Sequence, residues 1–236
     1  MSGWKARIGY LSPSVFETPS EWDLILPKGF TMVASGLNVQ AHNEEEFNKA
    51  IEALESALGI FTAEECDVVL LGGITLGTQK GYRVEHQVVG SLSRRLGLPI
   101  STGMNASVEA LNHLGARTVV IATAYMDKIN QAVKRYYDDA GLNVLAITGL
   151  QVTKPVEQVK LPDYASYKVA RALSRQYPNA DAILIQGRWR ALACVEELET
   201  DSGKPVVSST GASLWWALQQ LGMKIRVEGY GRLLRQ

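Results

Sequence analysis

The chain contains a repeat. Residues 98–115, LPISTGMNASVEALNHLG, match residues 204–222, KPVVSSTGASLWWALQQLG, with one extra residue in the second copy. Each copy follows an apolar run that ends in glycine, CDVVLLGGIT before the first and ADAILIQGRW before the second, and each is expected to lead into a further strand, TVVIATAY and IRVEGYG. A unit that recurs in this way is one supersecondary element used twice, which constrains the chain to two similar halves.

The rest of the sequence says what those halves are made of. Short β-branched runs at 7–11, 31–35, 68–71, 100–101, 119–122, 143–147, 183–185, 206–207 and 226–228 predict strands. Amphipathic stretches at 44–61, 83–96, 105–114, 126–140, 163–176, 191–201 and 213–221 predict helices between them. Strand and helix in alternation make parallel sheets with helices on both faces. The expected fold class is α/β, with residues 1–114 and 214–236 forming one lobe, 115–213 the other, and the active site between them.

Composition narrows the partners. Twenty-four basic and 24 acidic residues cancel, so there is no electrostatic footprint for nucleic acid or an anionic membrane, and a small molecule is the expected partner. Cys66 and Cys194 lie far apart, and no CxxC, HxxxH or HExxH pattern offers a metal site. Free thiols, no apolar run of membrane-spanning length and an N-terminus without an apolar signal core lead to the expectation of a cytoplasmic protein.

Parallel sheets bind ligands beyond the carboxyl ends of their strands, where loops and helix N-termini converge. Two matched lobes bring two such edges together. The site is then expected from Leu11-Ser12-Pro13, Gly72-Gly73-Ile74-Thr75, Ala122-Thr123-Ala124-Tyr125, Gln186-Gly187-Arg188-Trp189 and Ser208-Ser209-Thr210-Gly211. Glycine amides and hydroxyls suit a carboxylate, or an enolate formed from one.

Thr75 and Tyr125 are the candidate donors, one from each lobe. The structural alternatives are a helix cap for Thr75 and lobe packing for Tyr125. Arg188 and Arg190 flank Trp189 where a helix is expected to begin; one arginine can clamp a carboxylate while Trp189 walls an apolar pocket, or both can be solvated or paired with Glu196 and Glu197. Glu85 and His86 can carry protons, although a surface helical histidine is the simpler account, and His42 and His113 are given no role. Cys66 and Cys194 are expected as small buried hydrophobes.

Several runs together resemble a known family. ARIGYLSP, FTMVASGL, GGIT followed by Gly81, GLPISTGMNASVEALNHLGARTVVIATAYMDKIN, KPVVSS and GYGRLL span nearly the whole chain. They resemble the arylmalonate decarboxylase and maleate cis-trans isomerase family of the aspartate/glutamate racemase superfamily. The resemblance implies two pseudo-symmetric Rossmann-like lobes and chemistry without metal or organic cofactor. It also implies an anion hole of hydroxyls and amides that holds one carboxylate while the other leaves as carbon dioxide.

Carried onto this sequence, the hole's hydroxyl loop falls on Gly73-Ile74-Thr75, keeping a hydroxyl at Thr75 and placing apolar Ile74 where relatives have another. The hole's tyrosine falls on Tyr125, and the N-terminal loop beside the pocket on Ser12 and Pro13. The superfamily's two catalytic cysteine positions fall on Gly73 and Gly187, and Arg188 and Trp189 replace two glycines. Racemisation by two thiols and isomerisation by thiolate addition therefore drop out as inherited mechanisms.

The expected function is a cofactor-independent decarboxylase acting on a malonate-like or otherwise activated carboxylic acid. Its enediolate would be held by Thr75, Tyr125 and Arg188, with Ser12, Pro13, Gly73, Ile74, Gly187 and Trp189 around the substrate. Two alternatives stand beside it. One is an isomerase or hydratase of a small unsaturated dicarboxylate, with Arg188 on the second carboxylate; the other is a carboxylate-binding protein without catalysis.

Overall fold

The structure is a computed structural model that describes residues 4–12, 21–37 and 44–235. Strands β1 (Ala6–Ser12), β2 (Phe30–Gly36), β3 (Val68–Leu71) and β4 (Ile100–Thr102) form one parallel sheet in the order β2-β1-β3-β4. Strands β5 (Thr118–Thr123), β6 (Asn143–Gly149), β7 (Ala182–Gln186) and β8 (Val206–Ser208) form a second in the order β6-β5-β7-β8. The α/β fold of two parallel sheets flanked by helices is therefore present, and the second sheet repeats the strand order of the first.

The helices fall into matched places. In the first half these are α1 (Trp22–Ile25), α2 (Glu44–Ala63), α3 (Thr75–Lys80), α4 (Tyr82–Leu96) and α5 (Gly103–His113). In the second they are α6 (Asp127–Asp139), α7 (Pro155–Gln158), α8 (Tyr164–Gln176), α9 (Val195–Ser202) and α10 (Ser209–Gln220). Helices α5 and α10 each follow the last strand of a sheet and pack on one another.

Alternation along the strands separates the cores. Ile8, Tyr10 and Leu70 of the first sheet and Val119, Ile121 and Leu184 of the second face one central core, which also takes Val133, Tyr136 and Tyr137 of α6 and the apolar faces of α5 and α10. Val69 and Leu71 face an outer core under α2 and α4, and Val120, Ala122, Ile183 and Ile185 face another under α8 and α9. The molecule is thus layered helix, sheet, helix, sheet, helix.

The repeated segment is a strand that ends in a capped helix. The Thr102 hydroxyl accepts from Asn105 N at 3.0 Å, and the Ser208 hydroxyl accepts from Gly211 N at 3.0 Å, so both central helices begin with the same satisfied amide. Leu71 lies beside Thr102 across β3 and β4, as Ile185 lies beside Ser208 across β7 and β8. Matching these rungs aligns Gly72 with Gln186 and Gly73 with Gly187.

Three expectations need correcting. Residues 226–228 form no strand: Val227 N donates to Leu234 O at 2.8 Å, and Gly229 and Gly231, both at φ +90°, fold the tail back on itself. The helix expected at 191–201 starts later, with a 3-10 turn at Leu192–Cys194, so Arg188 lies on a bend rather than in a helical turn. Helices α1, α3 and α7 were not expected, because four to six residues are too few to show a helical period. Among the described residues no helix is long and apolar enough to cross a membrane.

Candidate active site

Tyr125 enters the site on a rigid support. The Thr123 hydroxyl donates to Asn130 Oδ1 at 2.7 Å and accepts from Tyr125 N at 3.1 Å, while Asn130 Nδ2 donates to Tyr125 O at 3.4 Å. Gly149 on the neighbouring strand has no room for a side chain, because a Cβ there would run into Tyr125 O. The run ATAYMDKIN is thus a brace for one tyrosine.

The Tyr125 hydroxyl reaches the end of β7. A Cβ built on Gly187 would lie 3.3 Å from it and 3.5 Å from Gln158 Oε1. Gly187 has φ +129°, a conformation that side chains resist, and Ser209 Oγ donates to its carbonyl at 3.3 Å. Gln186 Oε1 accepts from the Tyr137 hydroxyl at 2.7 Å, and the same amide hydrogen-bonds Tyr125. Burial drives the Tyr125 phenol well above its ordinary pKa; the Gln186 contact and the Arg188 cation only partly offset that. Tyr125 is therefore a neutral donor, suited to a developing oxyanion.

A second phenol comes from the first sheet. Tyr10 on β1 is buried, with its ring edge-on to Trp22 at 6.3 Å between centroids. Its hydroxyl sits over Gly72, where any Cβ would overlap it. Burial raises its pKa to about 12 against the lowering pull of Arg188, and Tyr10 and Tyr125 also feel one another electrostatically. Tyr10, Tyr125 and Arg188 thus gather at the facing strand ends, one group from the first half and two from the second. Sequence reasoning missed Tyr10, Gln158 and Gln186; tyrosine in the last turn of a strand beside Gly-Gly is the signal that was there to find.

The remaining expected residues fall into place as follows. Ser12 is buried at the end of β1, and its carbonyl accepts from Leu37 N at 2.9 Å. Pro13 lies outside the described residues, as does the side chain of Thr75, whose backbone opens α3. Gly73 has φ +76°, and Ile74 packs against the central core. Trp189 does not wall a pocket: at 1% exposure it packs in the outer core of the second sheet with Ala191 and Cys194, because the bend at Gly187 sends it behind the sheet. Arg190 is exposed and pairs with Asp163 at 2.5 Å rather than with Glu196 or Glu197.

Three acidic or basic groups are accounted for elsewhere. Glu85 is buried on α4, where its Oε1 accepts from Thr102 at 2.7 Å and from Tyr136 of the other half at 2.5 Å. Burial raises its pKa against those two bonds. His86 is exposed and lies beside the Tyr82 ring. Glu21, not singled out in the sequence, is buried at the lobe junction; its Oε1 accepts from Ala191 N and Leu192 N at 2.6 Å each and holds the chain just past Arg188.

Neither thiol reaches the cluster. Cys66 precedes β3, at the opposite end of the sheet, and burial raises its pKa to about 11. The Cys194 thiol donates to Ala191 O at 3.1 Å and contacts Ser166 Oγ at 3.3 Å in the outer core; burial raises it to about 11. Both are protonated at neutral pH.

Residues 8–234 match the arylmalonate decarboxylase family. The chain belongs to that family. It is 30% identical over 208 residues to the arylmalonate decarboxylase of Bordetella bronchiseptica, covering 85% of each chain. A maleate isomerase of Nocardia farcinica is also 30% identical, over 175 residues and 72% of this chain. Among solved structures, a doubly substituted arylmalonate decarboxylase in its liganded form superposes with a TM-score of 0.90 at 25% identity, covering 98% of this chain and 99% of that one. These relatives of the arylmalonate decarboxylase family member described here are enzymes.

Proposed function

We propose that the protein decarboxylates a malonate-like or otherwise activated carboxylic acid, without metal or organic cofactor, through an enediolate held between the lobes. The observation that carries this reading is the meeting of Tyr125 and Arg188 at the strand ends, beside Gly187. A cation and a neutral phenol there suit an anion whose charge grows as carbon dioxide leaves. Arg188 and Tyr125, with Thr75 and the loop amides, hold the retained carboxylate. The C–C bond to the other carboxylate then breaks, and its electron pair passes into the retained group.

By resemblance the superfamily's two thiol positions fall here on Gly73 and Gly187, and on this reading the carbanion is quenched by something other than a strand-end cysteine. The matched rungs of the two sheets, which align these glycines, support that assignment. Cys194 is close in sequence, but its bonds to Ala191 and Ser166 favour a packing role.

An isomerase of a small unsaturated dicarboxylate is the second reading, favoured by the similarity to maleate isomerase. The two separate in one experiment: the protein is incubated with malonates and maleate-like acids in deuterated water and followed by proton NMR. Carbon dioxide release with deuterium at the α-carbon supports decarboxylation; a new alkene or alcohol supports the second reading. A thermal shift with no turnover of either class would overturn both and leave a carboxylate-binding protein. Given decarboxylation, Tyr125→Phe and Thr75→Ala should each lower the rate ~10²-fold or more.

A further inference from the structure

We propose that Tyr10 is a catalytic residue, giving its phenolic proton from the first lobe to the carbanion formed between the lobes; this rests on the decarboxylase reading above. Four observations carry it. Tyr10 lies near the carboxyl end of β1, where the first sheet faces the cluster of Tyr125 and Arg188. Its ring is buried, at 7% exposure, and fixed edge-on against Trp22. Gly72, beside it on the next strand end, leaves the space the hydroxyl fills. Among the described residues that hydroxyl makes no hydrogen bond, whereas the hydroxyls of Tyr125, Tyr136 and Tyr137 are each engaged, by Gln186, Glu85 and Gln186.

A phenol that no described neighbour holds can turn its proton toward a ligand. The other candidates for the proton fit less well. Glu85 Oε1 is taken by Thr102 and Tyr136, and Oε2 lies against Gly77. His86 is on an exposed helix face. Tyr125 is held by Gln186 and is already assigned to the retained carboxylate.

The step balances. The C–C bond to the departing carboxylate breaks, its pair enters the enediolate, and carbon dioxide leaves. The Tyr10 O–H bond then breaks as its proton forms the new C–H bond at the α-carbon. The phenolate left beside Arg188 takes a proton back from water, and the hydroxide so formed combines with carbon dioxide to give bicarbonate. The α-carbon of a carboxylate is a far weaker acid than a phenol, so the transfer runs downhill.

The test uses the full chain and a malonate bearing two different substituents on its central carbon. Tyr10→Phe keeps the ring against Trp22 and should lower kcat by ~10²–10⁴-fold with little change in KM. It should also erode the enantiomeric excess of the product, since water then supplies the proton to either face. Undiminished kcat with unchanged product configuration would overturn the proposal while leaving the decarboxylase reading intact. An inactive parent protein would instead overturn that reading, and this step with it. If Tyr10→Phe melts lower than the parent, a fluorinated tyrosine placed at position 10 decides the matter. Its phenol ionises at lower pH, so a proton donor must carry the alkaline limb of kcat down with it; an unmoved limb overturns the proposal.

Discussion

At the end of β3 the first half has Gly72 and Gly73, with a phenol reaching over from β1; at the end of β7 the second half has Gln186 and Gly187, with a phenol reaching over from the loop after β5. The rungs that align Gly72 with Gln186 also align Tyr10 with Ile121, so the two tyrosines are not copies of each other. The two halves therefore occupy the matched strand ends differently. The first has a glycine, Gly72, beneath the Tyr10 hydroxyl, and the second has an amide, Gln186, that binds two phenols. A duplicated scaffold fixes where chemistry can be placed and leaves open which residue supplies it.

This comparison can be broken at its centre first. Arg188→Met removes the cation that both phenols face, and turnover should fall ~10²–10³-fold; steady-state kinetics showing a loss of less than tenfold would mean that the two halves do not converge on this group. Next in size is Gly72→Ala, which puts a methyl group where the Tyr10 hydroxyl lies. Overpacking of this kind costs about 1–3 kcal/mol, and the smaller ring-free side chain of Tyr10→Leu should restore part of it in the double variant. A urea midpoint unchanged by Gly72→Ala would show that the ring is not held there.

The lobe junction gives a smaller, pH-dependent effect. Burial raises the pKa of Glu21 above that of an exposed carboxylate. The folded state therefore holds the Glu21 proton more tightly than the unfolded state does. The associated stability is full below the unfolded pKa and declines as pH rises through the folded one. Glutamine keeps the oxygen that accepts from Ala191 N and Leu192 N but carries no charge. Glu21→Gln should therefore melt slightly higher than the parent at neutral pH, with the gap closing toward pH 4. A gap that widens on acidification would reverse the sign of the argument. The smallest effect is expected at Cys194→Ala, which trims a packed thiol: unchanged kcat, with a loss of stability of about 1 kcal/mol. A large fall in kcat would put the thiol back in the chemistry.

Much of the fold was legible because it rests on periodicity. The repeat at 98–115 and 204–222 marks both capped central helices, and eight of the expected strands are present within a residue or two of their expected bounds. The final strand failed because IRVEGYG has strand-like composition, while its glycines turn the tail onto α9, where Arg232 N donates to Glu199 Oε2 at 3.0 Å. The site was legible only in part. Tyr125 and Arg188 of the candidate site could be named from strand-end position, but Trp189 could not be told from a pocket wall, since two residues past a positive-φ glycine the chain can face either side of the sheet. Tyr10 was hidden by its alternation with Ile8, which reads as core and is core along most of the ring. Only Gly72, which leaves room for the hydroxyl, sets its far end apart.

The central core is shared. Ile8 and Leu70 on one sheet and Ile121 and Leu184 on the other bury into the same layer of helices, with α5 and α10 packed together inside it. Cut between residues 114 and 115, each piece would carry one apolar sheet face and one apolar helix with nothing to cover them. The fragments would have to find each other again before either could hold its shape. The two matching halves are thus an obligate pair joined by a peptide bond, each the cover of the other.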